Sequence, residues 1–298
     1  MASQDLFTEL LNKLAANWNG LPDKPDETPE TTLQALWTYA ARKNEHPGQM
    51  DGGMETLEPD LIAWLTNLVD QRISGTPLAY LTGRQTYLGL DFLASPDAMI
   101  PRKETELLGH SALERARLLA SERGDLWGMD LCTGSGNVVL ALLHYVPEYQ
   151  AVAADISQNA VGLAERNARM LGLEKRVQFF AGDLFAPFSG PEHEHAYDLI
   201  TCNPPYIATA NAEKMAQEIS QFEPREAFDG GPFGVKIIMR LIREAPRFLK
   251  PASWLIFEVG LGQGEGLQRI IEKSSDFQKV ENRTGDNGQI RVLLAQSF

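Results

Sequence analysis

Asn203-Pro204-Pro205-Tyr206 combines the side chains and the stiffness needed to orient a planar amine or amide. The apolar run over 197–202, Tyr-Asp-Leu-Ile-Thr-Cys, reads as a buried strand, so the four residues fall at a strand's carboxyl end, where open α/β sheets bind ligands. Proline fixes φ, lacks an N–H and drives the residue before it toward extended backbone, so Asn203 and Pro204 are held stiffly. The Asn203 side-chain oxygen and the Pro204 carbonyl then offer two acceptors to one NH2 group. The Tyr206 ring offers a face on which the plane of that group can stack. Taken alone, the four residues also suit a Pro-Pro turn leaving a strand.

An upstream group suits a nucleoside-bearing cofactor. Asp130-Leu-Cys-Thr133-Gly134-Ser-Gly136-Asn137 occupies a strand-to-helix junction, where glycines allow a tight turn and close approach of a ligand to the backbone. Asp155 ends the next strand and is placed to accept hydrogen bonds from ribose hydroxyls. At the end of the third strand, Asp183 in Gly182-Asp183-Leu184-Phe185 is placed to accept from an adenine amino group while Leu184 or Phe185 packs on the ring; an isolated Gly-Asp pair also serves in turns. There is no third glycine at dinucleotide spacing and no Gly-Lys-Ser/Thr, so NAD and ATP fit poorly.

These residues need a scaffold, and from Gly124 onward the chain alternates regularly. Strands are expected at 126–131, 150–155, 177–181, 197–202, 254–259 and 290–294, with helices over 137–144 and 157–171. Such βαβ alternation predicts an α/β fold with a mostly parallel, doubly wound sheet. Ahead of it, apolar residues at helical spacing predict helices beginning near Ser3, over 32–43 and from Glu58-Pro59-Asp60, with loop at 44–56. The Gly-, Pro- and aromatic-rich stretch from Ser74, including Tyr87-Leu-Gly-Leu-Asp-Phe92, predicts a hairpin. We therefore expect a helical domain over 1–83, a hairpin linker over 84–105 and a catalytic domain over 106–298. A helix should enter near Thr105, capped by it or by nearby acids, and from spacing alone Arg102, Glu104 and Glu106 read as solvated charges.

Composition narrows the classes. The 298 residues are 43% hydrophobic and 22% charged, ordinary for a soluble fold with a large core. No apolar run approaches the roughly 20 residues of a membrane span. The start, Met1-Ala-Ser-Gln-Asp5, lacks a secretory pattern and two cysteines cannot form a disulfide framework, so a reducing cytoplasm is expected. A net charge of −13 without clustered Lys or Arg removes the footprint of a general nucleic-acid binder.

Taken in order, Asp130 with Gly134-Ser-Gly136, Asp155, Asp183 and Asn203-Pro-Pro-Tyr206 resemble the motifs of class I S-adenosylmethionine-dependent methyltransferases that methylate amino groups. Gly75-Thr-Pro-Leu-Ala-Tyr80, Ile100-Pro-Arg-Lys-Glu-Thr-Glu106, Glu223-Pro-Arg-Glu-Ala227, Gly230-Gly231 and Phe257-Glu-Val-Gly260 with Gln263 further resemble the HemK-type N5-glutamine methyltransferases that modify peptide-chain release factors. The likeness runs from about Leu57 to the end. It implies a seven-stranded sheet with a helical N-terminal substrate-recognition domain, S-adenosylmethionine as cofactor, and methyl transfer to the glutamine amide of a Gly-Gly-Gln motif. On the family's pattern, Asn203, Pro204, Pro205 and Tyr206 hold the substrate amide, with Arg102 and Thr105 in a nearby loop. Thr133, Gly134, Gly136, Asp155, Asp183, Leu184 and Asn203 contact the cofactor. Lys103, Cys132 and Phe233 depart from the pattern, where it has proline, glycine and aspartate.

An amide nitrogen is a weak nucleophile because its lone pair is delocalised, so catalysis should come from alignment with the methyl group and from acceptors favouring a more positive nitrogen. Neither a metal nor a dedicated base is expected. The five histidines show no ligand spacing, Cys132 and Cys202 read as inert thiols at neighbouring strand ends, and Glu258 reads as support of its sheet end. Two other readings stay open: an amino methyltransferase acting on nucleic-acid adenine or a small-molecule amide, and an inactive binding module whose cofactor pocket Cys132 blocks.

Overall fold

The structure, a computed structural model, describes residues 3–21, 24–44 and 59–298. The loop expected over 44–56 lies, Asn44 apart, outside the described residues, as do His46 and Glu58. The chain divides into two compact units, Met1–Arg84 with Ala216–Phe222, and Gln85–Met215 with Glu223–Phe298.

The first unit is helical: α1 (Ser3–Ala16), α2 (Pro29–Asn44), α3 (Pro59–Ile73) and the short α4 (Leu78–Thr82). Leu6, Leu10 and Leu14 of α1, Leu33 and Leu36 of α2, and Leu61, Leu65 and Leu68 of α3 recur every three or four residues and meet in one core. Proline suits the first position of α3 because the N–H it lacks would have had no partner inside the helix. The segment 216–222, which includes α9 (Gln217–Phe222), joins this unit through Glu218. That buried carboxylate accepts from Lys24 Nζ at 2.6 Å and Arg72 Nη1 at 2.9 Å, so each charge taken from water has an opposite one beside it.

The second unit carries the hairpin β1 (Arg84–Tyr87) and β2 (Leu90–Leu93) and the seven-stranded sheet. Its strands are β3 (Leu126–Leu131), β4 (Tyr149–Asp155), β5 (Val177–Ala181), β6 (Tyr197–Cys202), β7 (Leu249–Glu258), β8 (Phe277–Thr284) and β9 (Ile290–Ser297). They lie in the order β5-β4-β3-β6-β7-β9-β8, with β3 to β7 parallel and β9 antiparallel to both its neighbours. The helices are α5 (Glu106–Arg123), α6 (Asn137–Tyr145), α7 (Gln158–Met170), α8 (Thr209–Ala212), α10 (Lys236–Glu244) and α11 (Gly264–Glu272). This is the mostly parallel, doubly wound sheet that the βαβ alternation predicts. Because side chains alternate, Ala151, Ala153, Leu199 and Ile256 enter one core while Val152, Ala154, Ile200 and Phe257 enter the other, which is why these strands read as continuous apolar runs. No helix among the described residues is long and apolar enough to cross a membrane.

One packing detail within the sheet is testable. A Cβ on Gly128 of β3 would lie 1.6 Å from the Tyr149 hydroxyl, so glycine makes room for that ring. The hydroxyl itself is buried without a hydrogen-bond partner, and burying an unsatisfied polar group costs about 1–3 kcal/mol. Tyr149→Phe is expected to raise unfolding stability by about 1 kcal/mol, read from urea denaturation; a loss of stability would show that the hydroxyl has a partner.

Candidate active site

The sheet's parallel strands end together, and the loops leaving β3, β4, β5 and β6 surround a cavity of about 250 Å3. The first of these loops turns sharply. Gly134 has φ +55°, with open space where a Cβ would project, so a ligand can approach its backbone. Gly136, at φ +81°, caps α6, and a Cβ there would press within 3.2 Å of Ala164. It serves the turn and the helix packing and is not part of the cavity wall. Cys132 and Leu184 adopt left-handed φ of 55° and 49° without being glycines, and both line the cavity. Strained backbone of this kind collects at functional sites.

Asp155 is oriented from both sides: its Oδ2 accepts from the Gly134 N–H at 2.8 Å and its Oδ1 from the Ser157 N–H at 2.9 Å. Burial pushes its pKa up, and these two amides draw it back down. Asp183 also lines the cavity and takes a forked contact from Arg240 Nη1 at 2.8 and 3.0 Å. Thr133, a cofactor candidate, donates its hydroxyl to Asp130 Oδ2 at 2.6 Å, while Thr201 donates to Oδ1 at 2.6 Å. Asp130, beneath the turn, is thus a partner the motif pattern left without a role.

Burial lifts the Asp130 pKa from 3.8 to about 6, against the pull of the two hydroxyls and with a further push from Asp155. A carboxyl that holds its proton more tightly folded than unfolded favours the folded state at low pH and loses that advantage as pH rises through its folded pKa. We therefore expect the stability difference between wild type and Asp130→Asn to shift by about 2 kcal/mol between pH 4 and pH 7, wild type losing ground as pH rises. Urea midpoints across that range provide the check, and a flat difference would contradict the shift.

Asn203 and Pro205 stand on the wall of the same cavity as Asp155 and Asp183, whereas Pro204 and Tyr206 lie outside its lining. The Asn203 amide donates through Nδ2 to the Thr105 hydroxyl at 3.1 Å, which leaves Oδ1 as its acceptor. Thr105 is therefore not the side-chain cap expected for α5; its hydroxyl makes no cap bond and is turned to Asn203. The Tyr206 hydroxyl donates to Glu258 Oε1 at 2.8 Å. Burial, followed by the charge of Glu258, pushes the Tyr206 pKa up, so the phenol keeps its proton. Glycines 230 and 234 back the loop closely. A Cβ on either would meet the Pro205 or Tyr206 carbonyl oxygen at 2.6 or 2.2 Å, and Gln263 Nε2 holds the Tyr206 carbonyl at 2.9 Å.

Each of the three charges expected to be solvated has a partner, though Glu104 stays exposed: Arg102 pairs with the buried Glu223, which also accepts from the Ile100 N–H at 3.0 Å; Glu104 pairs with Arg291 at 2.6 Å and Glu106 with Lys103 at 2.7 Å. Glu223 and Arg291 lie far off in sequence, out of reach of a reading by spacing. Cys132 lines the cavity beside the buried Cys202, whose thiol burial pushes up, and leaves the cavity open. Of the other departures, Lys103 and the exposed Phe233 lie outside the lining. His193 and His195 are engaged at Nδ1 by the Tyr197 hydroxyl and the Leu249 carbonyl. Among the described residues, no group of three or more His, Cys, Asp or Glu could hold a metal ion.

The cavity wall carries Asp97, Asp130, Asp155, Asp183, Glu226, Asp229 and one cation, Arg102; Arg102 pairs with Glu223, and Asp97, Asp183 and Asp229 pair with Arg166, Arg240 and Arg225. The remaining acids leave the wall negative, which suits a ligand bearing positive charge, such as a sulfonium, and the oriented Asp155 carboxylate suits a ribose. Sheet order and site together define a class I S-adenosylmethionine-dependent methyltransferase. The Methyltransferase small domain family matches residues 116–231. A release factor glutamine methyltransferase of Geobacter sulfurreducens is 39% identical over 80% of this chain and 79% of its own, and that of Bacillus subtilis 32% identical over 76% and 77%. The chain belongs to the release factor glutamine methyltransferase family. In fold alone it is also similar to the hMettl16 catalytic domain solved in complex with a MAT2A 3′UTR hairpin, with TM-score 0.52, 16% identity, and coverage of 88% of this chain and 92% of that one.

Proposed function

We propose that this protein methylates the side-chain amide nitrogen of the glutamine in the Gly-Gly-Gln motif of peptide-chain release factors, and therefore works in the cytoplasm. What supports the reading most is the placement of Asn203, with its N–H donor occupied by Thr105, on the same cavity wall as the oriented Asp155. When bound, S-adenosylmethionine supplies an electrophilic methyl group on a positively charged sulfur. Asp155 holds the ribose hydroxyls, Gly134 leaves the backbone open beside them, and Asp183 with Leu184 receives the adenine. Asn203 Oδ1 and the Pro204 carbonyl accept the two amide hydrogens, turning the nitrogen lone pair toward the methyl carbon. As the carbon–nitrogen bond forms and the methyl–sulfur bond breaks, its electron pair leaving with sulfur as a neutral thioether, the nitrogen becomes more positive, and both acceptors bind it more strongly than they bind the ground state. Product forms when that nitrogen releases one hydrogen as a proton to solvent.

A polyanionic substrate is disfavoured by the acidic wall and by the net charge of −13. The test is methyl transfer from labelled S-adenosylmethionine to purified release factor, to the same factor with Gln→Ala in its Gly-Gly-Gln motif, and to DNA and RNA. Label on the factor that disappears with the glutamine is the expected result. Label on nucleic acid alone, or label indifferent to the glutamine, would overturn the reading.

A further inference from the structure

Beyond the cavity, the chain presents apolar side chains to solvent beside the loop proposed to hold the amide. Pro224, Glu226, Ala227 and Asp229 line the cavity, and the segment that follows runs against the Asn203–Tyr206 loop and its continuation. The Ile207 N–H donates to the Phe228 carbonyl at 2.9 Å, the Gly230 N–H to that of Ile207 at 2.8 Å and the Thr209 N–H to that of Gly231 at 3.0 Å. The chain then reverses in a turn closed by the Gly234 N–H on the Gly231 carbonyl at 3.0 Å, with the fixed φ of Pro232 inside it. Phe233 stands at the third position of that turn and is 83% exposed, more than any other large apolar side chain among the described residues. A second turn, closed by the Gln263 N–H on the Gly260 carbonyl at 3.1 Å, carries Leu261, which is 60% exposed. The Gln263 side chain fastens both turns to the loop: Oε1 accepts from the Gly260 N–H at 2.9 Å, and Nε2 donates to the carbonyls of Tyr206 at 2.9 Å and Gly234 at 3.3 Å.

Single exposed apolar residues are common on protein surfaces and carry no meaning by themselves. These two differ in being held. Each sits on a hydrogen-bonded turn, and one amide ties both turns to Tyr206, so little further ordering is needed when they are covered. A protein whose glutamine reaches Asn203 lays the chain on either side of that glutamine over the surface around the loop. The Gly-Gly-Gln motif offers no side chain except the glutamine itself, so recognition beyond the amide has to come from residues outside the motif. We propose that Phe233, with Leu261 on the adjoining turn, is an apolar anchor for the release factor, taking an apolar side chain next to the Gly-Gly-Gln motif. The proposal rests on the substrate proposed above. Water released from both surfaces drives the contact, and an aromatic ring supplies a large area of it. The aspartate that the family pattern has at 233 would demand a polar partner; phenylalanine suits this chain to a factor that is apolar there.

The test measures methyl transfer from labelled S-adenosylmethionine to the cognate release factor, with the whole protein. Phe233→Ser is expected to raise KM for the factor about tenfold or more, and Leu261→Ser about fivefold, while kcat and the cofactor Kd stay within about twofold. Phe233→Leu keeps an apolar contact and should stay within about threefold of the wild-type KM. Phe298→Ser is the control. That ring is 65% exposed, and its carbonyl accepts from the Ala252 N–H near the start of β7, at the end of the strand away from the site, so KM should not change. An unchanged KM in Phe233→Ser, an equal rise in Phe298→Ser, or a joint fall in kcat and cofactor affinity would overturn the anchor while wild-type transfer upheld the substrate; no transfer by wild type would overturn both. Sedimentation of wild type and Phe233→Ser addresses the other occupant: a dimer that Phe233→Ser dissolves with KM unchanged would assign the patch to a second copy of this chain.

Discussion

Asn203→Ala is expected to lower kcat by about a hundred- to a thousandfold while cofactor affinity changes by no more than a few-fold. The two properties separate because they reside on different groups. On the proposed function, ribose recognition belongs to Asp155 and the Gly134 backbone, neither of which is bonded to Asn203. On the same proposal the Asn203 oxygen engages the nitrogen that gains positive charge, so its contribution grows along the reaction coordinate, and such an interaction appears in kcat before it appears in binding. Single-turnover rates at saturating cofactor, with binding measured separately, make the comparison. A parallel fall in rate and affinity would show that Asn203 holds the cofactor and not the amide.

Asp155→Ala should do the opposite. Two ribose hydroxyls donating to one carboxylate amount to charge-assisted bonds of about 1.5–3 kcal/mol each, so the cofactor Kd should rise about a thousandfold. Two further bonds disappear with the side chain, those from the Gly134 and Ser157 amides, and the turn that bears Gly134 loses its brace. At cofactor concentrations high enough to saturate, the rate should recover to within a few-fold of wild type, because the amide acceptors are intact. Calorimetry and a cofactor titration of the rate decide the matter. A Kd raised less than tenfold would remove Asp155 from the ribose.

The two substitutions together ask whether binding and alignment are carried by separate strand ends. The fold makes that division natural. In a parallel sheet every strand brings its carboxyl end to the same edge, so residues from β3, β4 and β5 can cradle one ligand while β6, next to β3, presents the group that works on another.

Where reading the residues sufficed, the determinants were local. Strands β3, β4 and β6 announced themselves because a strand covered on both faces must be largely apolar, and glycine and proline at strand ends impose backbone geometry without help from elsewhere. Strand β8 escaped because it closes the sheet's edge: only Phe277 is fully buried, and the rest alternates among charged and half-exposed residues. Helix α10 carries Ile238, Leu241 and Ile242 at helical spacing, but over nine residues such a pattern is too brief to stand out from the surrounding loops.

Charges were the least legible class. Glu104 and Arg291 are 187 residues apart and meet within 2.6 Å; Glu223 reaches back 121 residues to Arg102. Nothing in the spacing of Arg102 and Glu104 announces Glu223 and Arg291 as their partners, because the energy of an ion pair depends on distance and burial, and both are properties of the assembled sheet. The sequence by itself determined the strand-to-helix alternation, the order of the strand-end motifs and hence the class of reaction, since each depends on residues close together in the chain. Only the tertiary structure decided that Thr105 serves Asn203 instead of capping its helix, and that Glu258 and Arg291 lie under Tyr206. Those contacts join a helix start and strand ends that meet in the fold and are far apart in the chain.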